Sequence, residues 1–247
     1  MDVTGRLSKA AGLIGHPSRA AMLWTLMGGE SRPASGLALV ANVSPQTASN
    51  HLRLLRDAGF LKVSVVGRNR LYSLGGPHVA AAMEALAGAI QRLPSSGGAA
   101  HEQTPELVFA RTCYDHLAGE LGVAMMNGLR CSGYLREQGE DFRLTKEGDR
   151  FLRAAGIDIA GAAAGRRRFA YACLDWTHRV PHLGGALGAA ILDWLLRSGA
   201  VVRLKTGRAV RLTDVGRRQM QRVFGISLSL GGRALASRSR SAAVLGE

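Results

Sequence analysis

Several residue types are scarce in this chain, and each scarcity excludes a class of protein. Three cysteines among 247 residues cannot form a complete disulfide framework, so we expect reduced thiols in a cytoplasmic protein. The chain also lacks an apolar stretch long enough to span a bilayer, and its first residues lack the apolar core of a signal peptide. The sequence therefore predicts a cytoplasmic location and no membrane partner.

Acidic residues are scarce as well. The 32 lysines and arginines outnumber the 18 aspartates and glutamates, which gives a net charge of +14 and an isoelectric point of about 11. Such an excess favours a polyanionic partner and predicts binding that weakens steeply with salt. Charge alone does not distinguish DNA from RNA or an anionic membrane, so the choice depends on motifs.

The segment from Leu37 to Leu74 has the pattern of a helix, a turn, a second helix and a hairpin. Ser44 is suited to cap the second helix, and Pro45 is tolerated at its first position. Gly59 is placed to adopt the left-handed conformation that ends this helix. The spacing of three and four residues predicts one inward face, formed by Ala48, His51, Leu52 and Leu55.

The start and the outer face of this helix carry hydrogen-bonding side chains of the kind that contact base edges or phosphates. We predict DNA contacts from Ser44, Gln46, Thr47, Ser49, Asn50 and Arg53. The hairpin adds three further candidates at its tip, namely Arg68, Asn69 and Arg70. A merely solvated surface is the alternative. His51, on the inward face, is predicted to be a core histidine and not a base reader.

The chain resembles the ArsR/SmtB family, small dimeric winged-helix repressors of bacteria that leave their operators when an effector binds. The resemblance covers about the first ninety residues and is carried by four motifs, at 16–19 (His-Pro-Ser-Arg), 43–52, 55–61 and 67–72. It implies a homodimer on a double-stranded DNA operator, with recognition by the helix from Ser44 to Asp57, and hence an association with the bacterial nucleoid.

The metal sites of this family do not carry over to the chain. Many metal-sensing relatives have a Cys-x-Cys pair before the recognition helix, where Gly36 to Ala41 has neither thiol nor imidazole. The helix after the hairpin offers only His78 and Glu84, so the effector is left open. That helix also has a heptad-like apolar seam suited to a partner helix, formed by Val79, Met83, Leu86, Ile90 and Leu93.

Composition divides the chain into four parts. We predict a winged helix-turn-helix domain for DNA binding and dimerisation at 1–93, a Pro- and Gly-containing linker at 94–105, a regulatory domain at 106–230, and a disordered basic tail at 231–247. The expected fold class is mainly α with small β-wings (α+β).

The second half of the chain contains an internal repeat. The motif at 113–122 recurs at 173–188 with an insertion, and the motif at 144–148 recurs at 212–216. Each copy is predicted as a helix, a second helix ended by glycine, a short hairpin and a threonine-capped helix. We therefore expect two winged-helix-like repeats.

The repeat brings together candidate sensing residues. In the predicted first helix Cys113 and His116 lie one turn apart, and Cys173 and His182 are their repeat equivalents. The full candidate set for effector or thiol sensing is Cys113, His116, Cys173, Trp176, His178 and His182. Three interpretations stay open: buried structural residues, a small-molecule or thiol-reactive sensor, and a zinc-type metal site of Cys113, His116, Cys173 and His182. Cys131, outside both copies, is expected in the core.

These features predict a DNA-binding transcriptional regulator. The glycines at 184–188 follow no apolar strand, and no oxyanion arrangement accompanies the cysteines, so we expect no enzyme. The main hypothesis is an effector-responsive repressor that binds a pseudo-palindromic operator as a homodimer, with a small molecule or a metal ion as the effector and no certain cofactor. The alternative is an effector-independent architectural protein whose second domain is a DNA clamp or a dimerisation module, made basic by arginines including Arg208, Arg218 and Arg222.

Overall fold

The computed structural model describes residues 2–90, 104–204, 207–228 and 234–235. The chain forms two compact units: the first contains 1–93 together with the short segments 112–115 and 205–208, and the second contains the remainder. Within the described ranges, no helix combines the length and apolar character needed to cross a membrane. Most of the predicted linker and of the predicted basic tail lies outside the described residues.

The first unit is a winged helix-turn-helix. Its elements are α1 (Val3–Ile14), α2 (Pro17–Leu26), β1 (Arg32–Pro33), α3 (Ala34–Val40), α4 (Pro45–Asp57), β2 (Leu61–Val66), β3 (Asn69–Leu74) and α5 (Pro77–Ile90). Helices α3 and α4 form the helix-turn-helix, and β2 and β3 form the wing. The three strands make an antiparallel sheet in the order β1-β3-β2.

Helix α4 begins and ends where its sequence predicts. The Ser44 hydroxyl accepts a hydrogen bond from the Thr47 backbone N–H at 3.1 Å, and Gly59 beyond the last turn has φ +79°. Three residues of the predicted inward face are fully buried, namely Ala48, Leu52 and Leu55. The wing turn has two residues, Gly67 and Arg68, because Val66 pairs with Asn69.

The second half of the chain contains two runs of elements in the same order: helix, hairpin, helix, hairpin, helix. The first run is α6 (Pro105–Phe109), β4 (Arg111–Cys113), β5 (His116–Ala118), α7 (Gly119–Cys131), β6 (Leu135–Gln138), β7 (Asp141–Leu144) and α8 (Lys146–Ala154). The second run is α9 (Ile159–Ala164), β8 (Tyr171–Leu174), β9 (Pro181–Gly184), α10 (Gly185–Arg197), β10 (Val201–Arg203), β11 (Val210–Leu212) and α11 (Asp214–Phe224). Two short paired strands follow, β12 (Ser227–Leu228) and β13 (Ala234–Leu235).

Corresponding threonines hold corresponding turns in the two runs. The Thr145 hydroxyl donates to the Gly133 carbonyl at 3.1 Å, and the Thr213 hydroxyl donates to the Gly199 carbonyl at 2.7 Å. Each threonine also caps the helix that follows it by accepting from a backbone N–H three residues later. Helices α7 and α10 contribute most of their residues to the core of the second unit.

Two predictions for this half are wrong. The stretch from Cys113 to Ala118 is a β-hairpin and not a helix, because Tyr114 adopts a positive φ of 59° and turns the chain; α7 starts only at Gly119. Cys131 is exposed and not part of the core, since it is the last residue of α7. Of the predicted basic tail, only 234–235 is described, and these two residues form strand β13.

Candidate functional site

The polar face of α4 is exposed along its length. The predicted contacts Ser44, Gln46, Thr47, Ser49, Asn50 and Arg53 are all accessible to solvent. Some of their hydroxyls already bind within the helix: the Ser49 hydroxyl donates to the Pro45 carbonyl at 2.9 Å, and Ser44 serves as the cap. Arg53 lies 3.8 Å from Asp57 in an exposed ion pair, which a phosphate can replace at little cost.

The wing presents both basic and apolar side chains. Arg68 lies in the turn, Asn69 and Arg70 begin strand β3, and all three are exposed. Val65 and Val66 of β2 are exposed as well, which the alternation of the sequence does not indicate. The wing tip is therefore an exposed surface with both basic and apolar side chains.

His51 is partly buried and lies against a second histidine. Its ring centroid is 4.5 Å from that of His16. Burial lowers the pKa of His51, and the nearby His16 and Arg19 lower it further. His51 is therefore a partly buried packing residue and not part of the exposed face.

The apolar seam of α5 divides into two halves. Val79 and Met83 are only 5% and 6% exposed, because they pack within their own unit. Leu86 and Ile90 remain 42% and 54% exposed, and Leu93 lies outside the described residues. The second half of the seam is thus an apolar surface on the single chain.

Two segments from the second half of the chain are built into the first unit. The Tyr114 N–H donates to the Met27 carbonyl at 2.7 Å, next to the end of α2. Arg208 forms a buried ion pair with Glu84 of α5 at 2.7 Å, and its guanidinium lies 4.1 Å from the ring centroid of Trp24. Arg208 is therefore structural and does not belong to an exposed basic clamp.

The hairpins β4–β5 and β8–β9 bring four of the predicted sensing residues together. Cys113 ends β4 and His116 begins β5, while Cys173 and His182 lie directly opposite each other in β8 and β9. All four side chains are buried, and one ligand atom from each lies within 4.8 Å of the others. The two histidine rings are 5.1 Å apart at their centroids.

Asp175 is a buried carboxylate beside this cluster. It accepts hydrogen bonds from Arg111 at 2.9 Å, from the Gly119 N–H at 2.7 Å and from the Thr177 hydroxyl at 2.6 Å, and it lies 3.5 Å from His182 Nδ1. Burial by itself raises the pKa of Asp175, but Arg111 and Thr177 outweigh it and hold the pKa well below its ordinary value. The carboxylate is therefore ionised.

The remaining two sensing candidates surround Asp175 and do not join the cluster. Trp176 is buried, with the Arg111 guanidinium 5.0 Å from its ring centroid. His178 is partly exposed, and its Nδ1 is 2.9 Å from the Thr177 hydroxyl. Sequence reasoning overlooked Arg111, although an arginine within the apolar run before Cys113 was an available indication of a buried partner.

Comparisons with known proteins agree with the first unit. Residues 14–64 match a family described as a helix-turn-helix domain. The chain is 37% identical over 222 residues, 90% of this chain and 98% of the relative, to the uncharacterized HTH-type transcriptional regulator YdfF of Bacillus subtilis (strain 168). That match is to a regulator of transcription and not to an enzyme.

Two solved structures illustrate the likeness of the first unit. One is the homodimeric winged helix-turn-helix domain of Mb0332 from Mycobacterium bovis, a possible ArsR-family regulator (20% identity, 36% of this chain, 81% of that chain, TM-score 0.32). The other is the cadmium sensor CMTR from Mycobacterium tuberculosis (25% identity, 38% of this chain, 98% of that chain, TM-score 0.30). The relationship to YdfF extends over 90% of this chain, so the chain belongs to the DNA-binding HTH-type transcriptional regulators.

Proposed function

We propose that the protein is an effector-responsive repressor that binds a pseudo-palindromic operator as a homodimer in the bacterial cytoplasm, at the nucleoid. The observation that carries this proposal is the exposed polar face of α4, held by a serine cap and flanked by an arginine-bearing wing. A helix of this kind enters the major groove, and wing arginines contact phosphates or the minor groove. The net charge of +14 supplies the attraction to DNA.

The exposed half of the α5 seam supports the homodimer. Leu86 and Ile90 form an apolar surface on α5 of the winged helix-turn-helix unit. In a twofold-symmetric dimer, α5 of a second copy can cover both residues. A dimer of this type presents two copies of α4 to successive major grooves, roughly one helical turn apart. The operator is then pseudo-palindromic.

The effector acts from the second half of the chain. Segments 112–115 and 205–208 lie within the first unit, and they continue directly into strands of the second half. A small molecule, a thiol reaction or a metal ion that changes these strands therefore changes the first unit too. The effector releases DNA only if its affinity differs between the DNA-bound and the released dimer.

The test replaces two side chains on the exposed face. Asn50→Ala together with Arg53→Ala removes two candidate base or phosphate contacts in each half-site, each of which contributes about 1–3 kcal/mol. We expect operator affinity, measured by fluorescence anisotropy with DNA from the region upstream of the protein's own gene, to fall at least about 100-fold.

Arg197→Ala is the matched control, because Arg197 is an exposed helix arginine that pairs with Asp193. It should bind the operator as the wild type does, and sedimentation should show an intact dimer for both variants. Unchanged operator affinity in the double variant would contradict the assignment of α4 as the recognition helix.

One observation favours the architectural alternative. Arg218 and Arg222 are exposed on α11, where they could hold DNA by its backbone. In that case Arg218→Ala with Arg222→Ala would weaken binding to every sequence equally, and no ligand or thiol treatment would release the DNA.

A further inference from the structure

We propose that Cys113, His116, Cys173 and His182 together bind one divalent metal ion of the zinc type. The role of the ion rests on the proposed function: if the protein is an effector-responsive repressor, the ion is the effector that changes operator binding. The positions differ from the two metal sites of the ArsR/SmtB relatives, neither of which has its ligands in this chain.

The donor set and its spacing fit a tetrahedral ion. Two thiols and two imidazoles place their ligand atoms within 4.8 Å of one another. A tetrahedral zinc ion lies about 2.0–2.3 Å from nitrogen and sulfur, so its ligand atoms are about 3.3–3.8 Å apart. Side-chain rotations that shorten the largest separation by about 1 Å therefore close the site, and two sulfurs with two nitrogens favour zinc-type ions.

The burial of the four side chains favours an ion of charge +2. All four side chains are buried, and an uncompensated charge in such a place is costly. Two thiolates and two neutral imidazoles carry a charge of −2, which a divalent cation neutralises completely. A monovalent ion leaves a net negative charge in the same position, so a divalent ion is preferred.

The duplicated hairpins explain how four ligands come to one point. Each hairpin supplies a cysteine from its first strand, at the last residue in β4 and the penultimate residue in β8, and a histidine from its second strand. Helix glycines allow each histidine to approach the other copy: a Cβ at Gly188 would lie 3.1 Å from the His116 Cβ, and one at Gly122 would lie 3.6 Å from the His182 Cβ. These reciprocal contacts place two equivalent Cys–His pairs face to face.

Asp175 orients one of the ligands. Its Oδ2 lies 3.5 Å from His182 Nδ1, a separation slightly longer than a hydrogen bond, while hydrogen bonds from Arg111 and Gly119 fix the carboxylate. A carboxylate at Nδ1 directs Nε2 towards a metal, an arrangement that accompanies most metal-bound histidines. Asp175 is thus a positioning residue for His182.

Cys113 links the metal ion to the DNA-binding unit. Its two chain neighbours are bonded beside the end of α2, since the Thr112 hydroxyl donates to the Gly28 carbonyl at 3.1 Å and the Tyr114 N–H donates to the Met27 carbonyl at 2.7 Å. Helix α2 in turn contacts α3 and α4. Ligation that draws Cys113 towards the ion therefore pulls on the segment that supports the helix-turn-helix.

The test titrates the reduced, chelator-treated full-length protein with Zn²⁺ and with Co²⁺. Native mass spectrometry should show one zinc ion per chain, and Co²⁺ should give both the visible absorption of a tetrahedral site and a thiolate-to-cobalt charge-transfer band. Cys113→Ser and Cys173→Ser should each lower metal affinity at least about 100-fold. Cys131→Ser is the matched control, because this exposed cysteine lies outside the cluster. The metal affinity of this variant should equal that of the wild type.

Three results would overturn the proposal. The first is a wild-type protein that retains no stoichiometric Zn²⁺, and the second is a Co²⁺ spectrum without the thiolate band; both use the unmodified chain and so do not depend on the folding of a variant. The third is an equal loss of affinity in Cys131→Ser.

Operator binding by the metal-free protein separates this inference from the proposed function. If metal-free protein binds the operator and Zn²⁺ lowers that affinity at least about 10-fold, both hold. If the ion binds while operator affinity is unchanged, the effector role is refuted and the site remains. If the protein binds the metal ion but does not bind the operator in either state, the proposed function is refuted and the metal site remains.

Discussion

Single residues decide how the interior of the second half accommodates charge. Asp175 and Arg111 are both fully buried and form an ion pair at 2.9 Å. Taking such a pair out of water is costly, and its geometry is acceptable only because additional groups bind the remaining lone pairs. Thr177 and the Gly119 N–H do so here. The pair therefore contributes more to a defined arrangement beside His182 than to stability.

Removing one member of this pair should destabilise the protein strongly. Asp175→Asn keeps the shape of the side chain but leaves the Arg111 guanidinium buried without its counter-charge. We expect the free energy of unfolding, measured by urea titration, to fall by about 3–5 kcal/mol. Zinc affinity should fall about 10–100-fold in the same variant, because His182 loses its orienting carboxylate.

Asp141→Asn is the control for this variant. Asp141 also pairs with an arginine, Arg168, but both side chains are about half exposed, so the loss should stay below about 1 kcal/mol. Equal losses in the two variants would show that the buried ion pair has no special role.

At the scale of helices and strands, some elements could be predicted from local signals. Helix α4 was predictable because Ser44, Pro45 and Gly59 each have a strong positional preference at a helix end. The hairpin at Cys113 was not, since a separation of three residues from His116 fits one turn of a helix as well as a tight strand turn. Tyr114 makes that turn with a positive φ. Residues other than glycine, asparagine and aspartate rarely adopt a positive φ, so a tyrosine in the sequence does not predict a turn.

The Cys/His cluster depends on contacts that no local pattern contains. The repeat of Cys113 and His116 at Cys173 and His182 indicated that the two pairs are equivalent, but not that they meet. Their approach requires the helix glycines at 122 and 188 to lie against the opposite histidine, which is a property of the packed pair of hairpins. Asp175 is close to Cys173 in the sequence, so its position near the cluster could be predicted. Its hydrogen bond from Arg111 could not, because the two residues are 64 positions apart in the chain.

Gly188 should be required for the approach of the two hairpins. A Cβ at this position would overlap the Leu183 carbonyl oxygen and lie 3.1 Å from the His116 Cβ, so Gly188→Ala must displace backbone or separate the two hairpins. We expect a loss of about 1–3 kcal/mol in the free energy of unfolding, with weaker Zn²⁺ binding measured by competition with a chelating dye.

Gly12→Ala provides the comparison, because Gly12 is also inside a helix but a Cβ there meets nothing within 4 Å. This substitution should stabilise the chain by about 0.5–1 kcal/mol, the ordinary gain in a helix. A neutral or stabilising Gly188→Ala would contradict the close approach.

The whole molecule combines a proposed DNA-binding surface on α4 and the wing with a buried Cys/His cluster. The connection is covalent and local, since segments 112–115 and 205–208 belong to the first unit while the strands on either side of them belong to the second. The buried pair of Glu84 and Arg208 fixes one of these segments to α5, the helix that carries the exposed apolar seam. In the proposed function, these two segments are where an effector of the second half acts on α2 and on the proposed dimer helix.

The exposed end of α5 gives the prediction that concerns the assembled dimer. Ile90→Glu places a charge in the proposed seam. Because the dimer is twofold symmetric, the substitution occurs twice in the interface and its effect on the free energy of dimerisation is doubled. Burying an isoleucine contributes about 1.5–3 kcal/mol, so the dissociation constant of the dimer should rise at least about 100-fold. Operator affinity should fall with it, because two half-sites are no longer bound together. Sedimentation velocity and anisotropy titration measure the two effects.

Val215→Glu tests whether the effect belongs to the seam. Val215 is an exposed apolar residue of α11, 39% accessible compared with 54% for Ile90, and it lies in the second unit. This variant should sediment and bind operator as the wild type does. A dimer that persists in Ile90→Glu with unchanged operator affinity would show that two chains associate through another surface, since a glutamate carboxylate cannot be buried in an apolar seam without a partner.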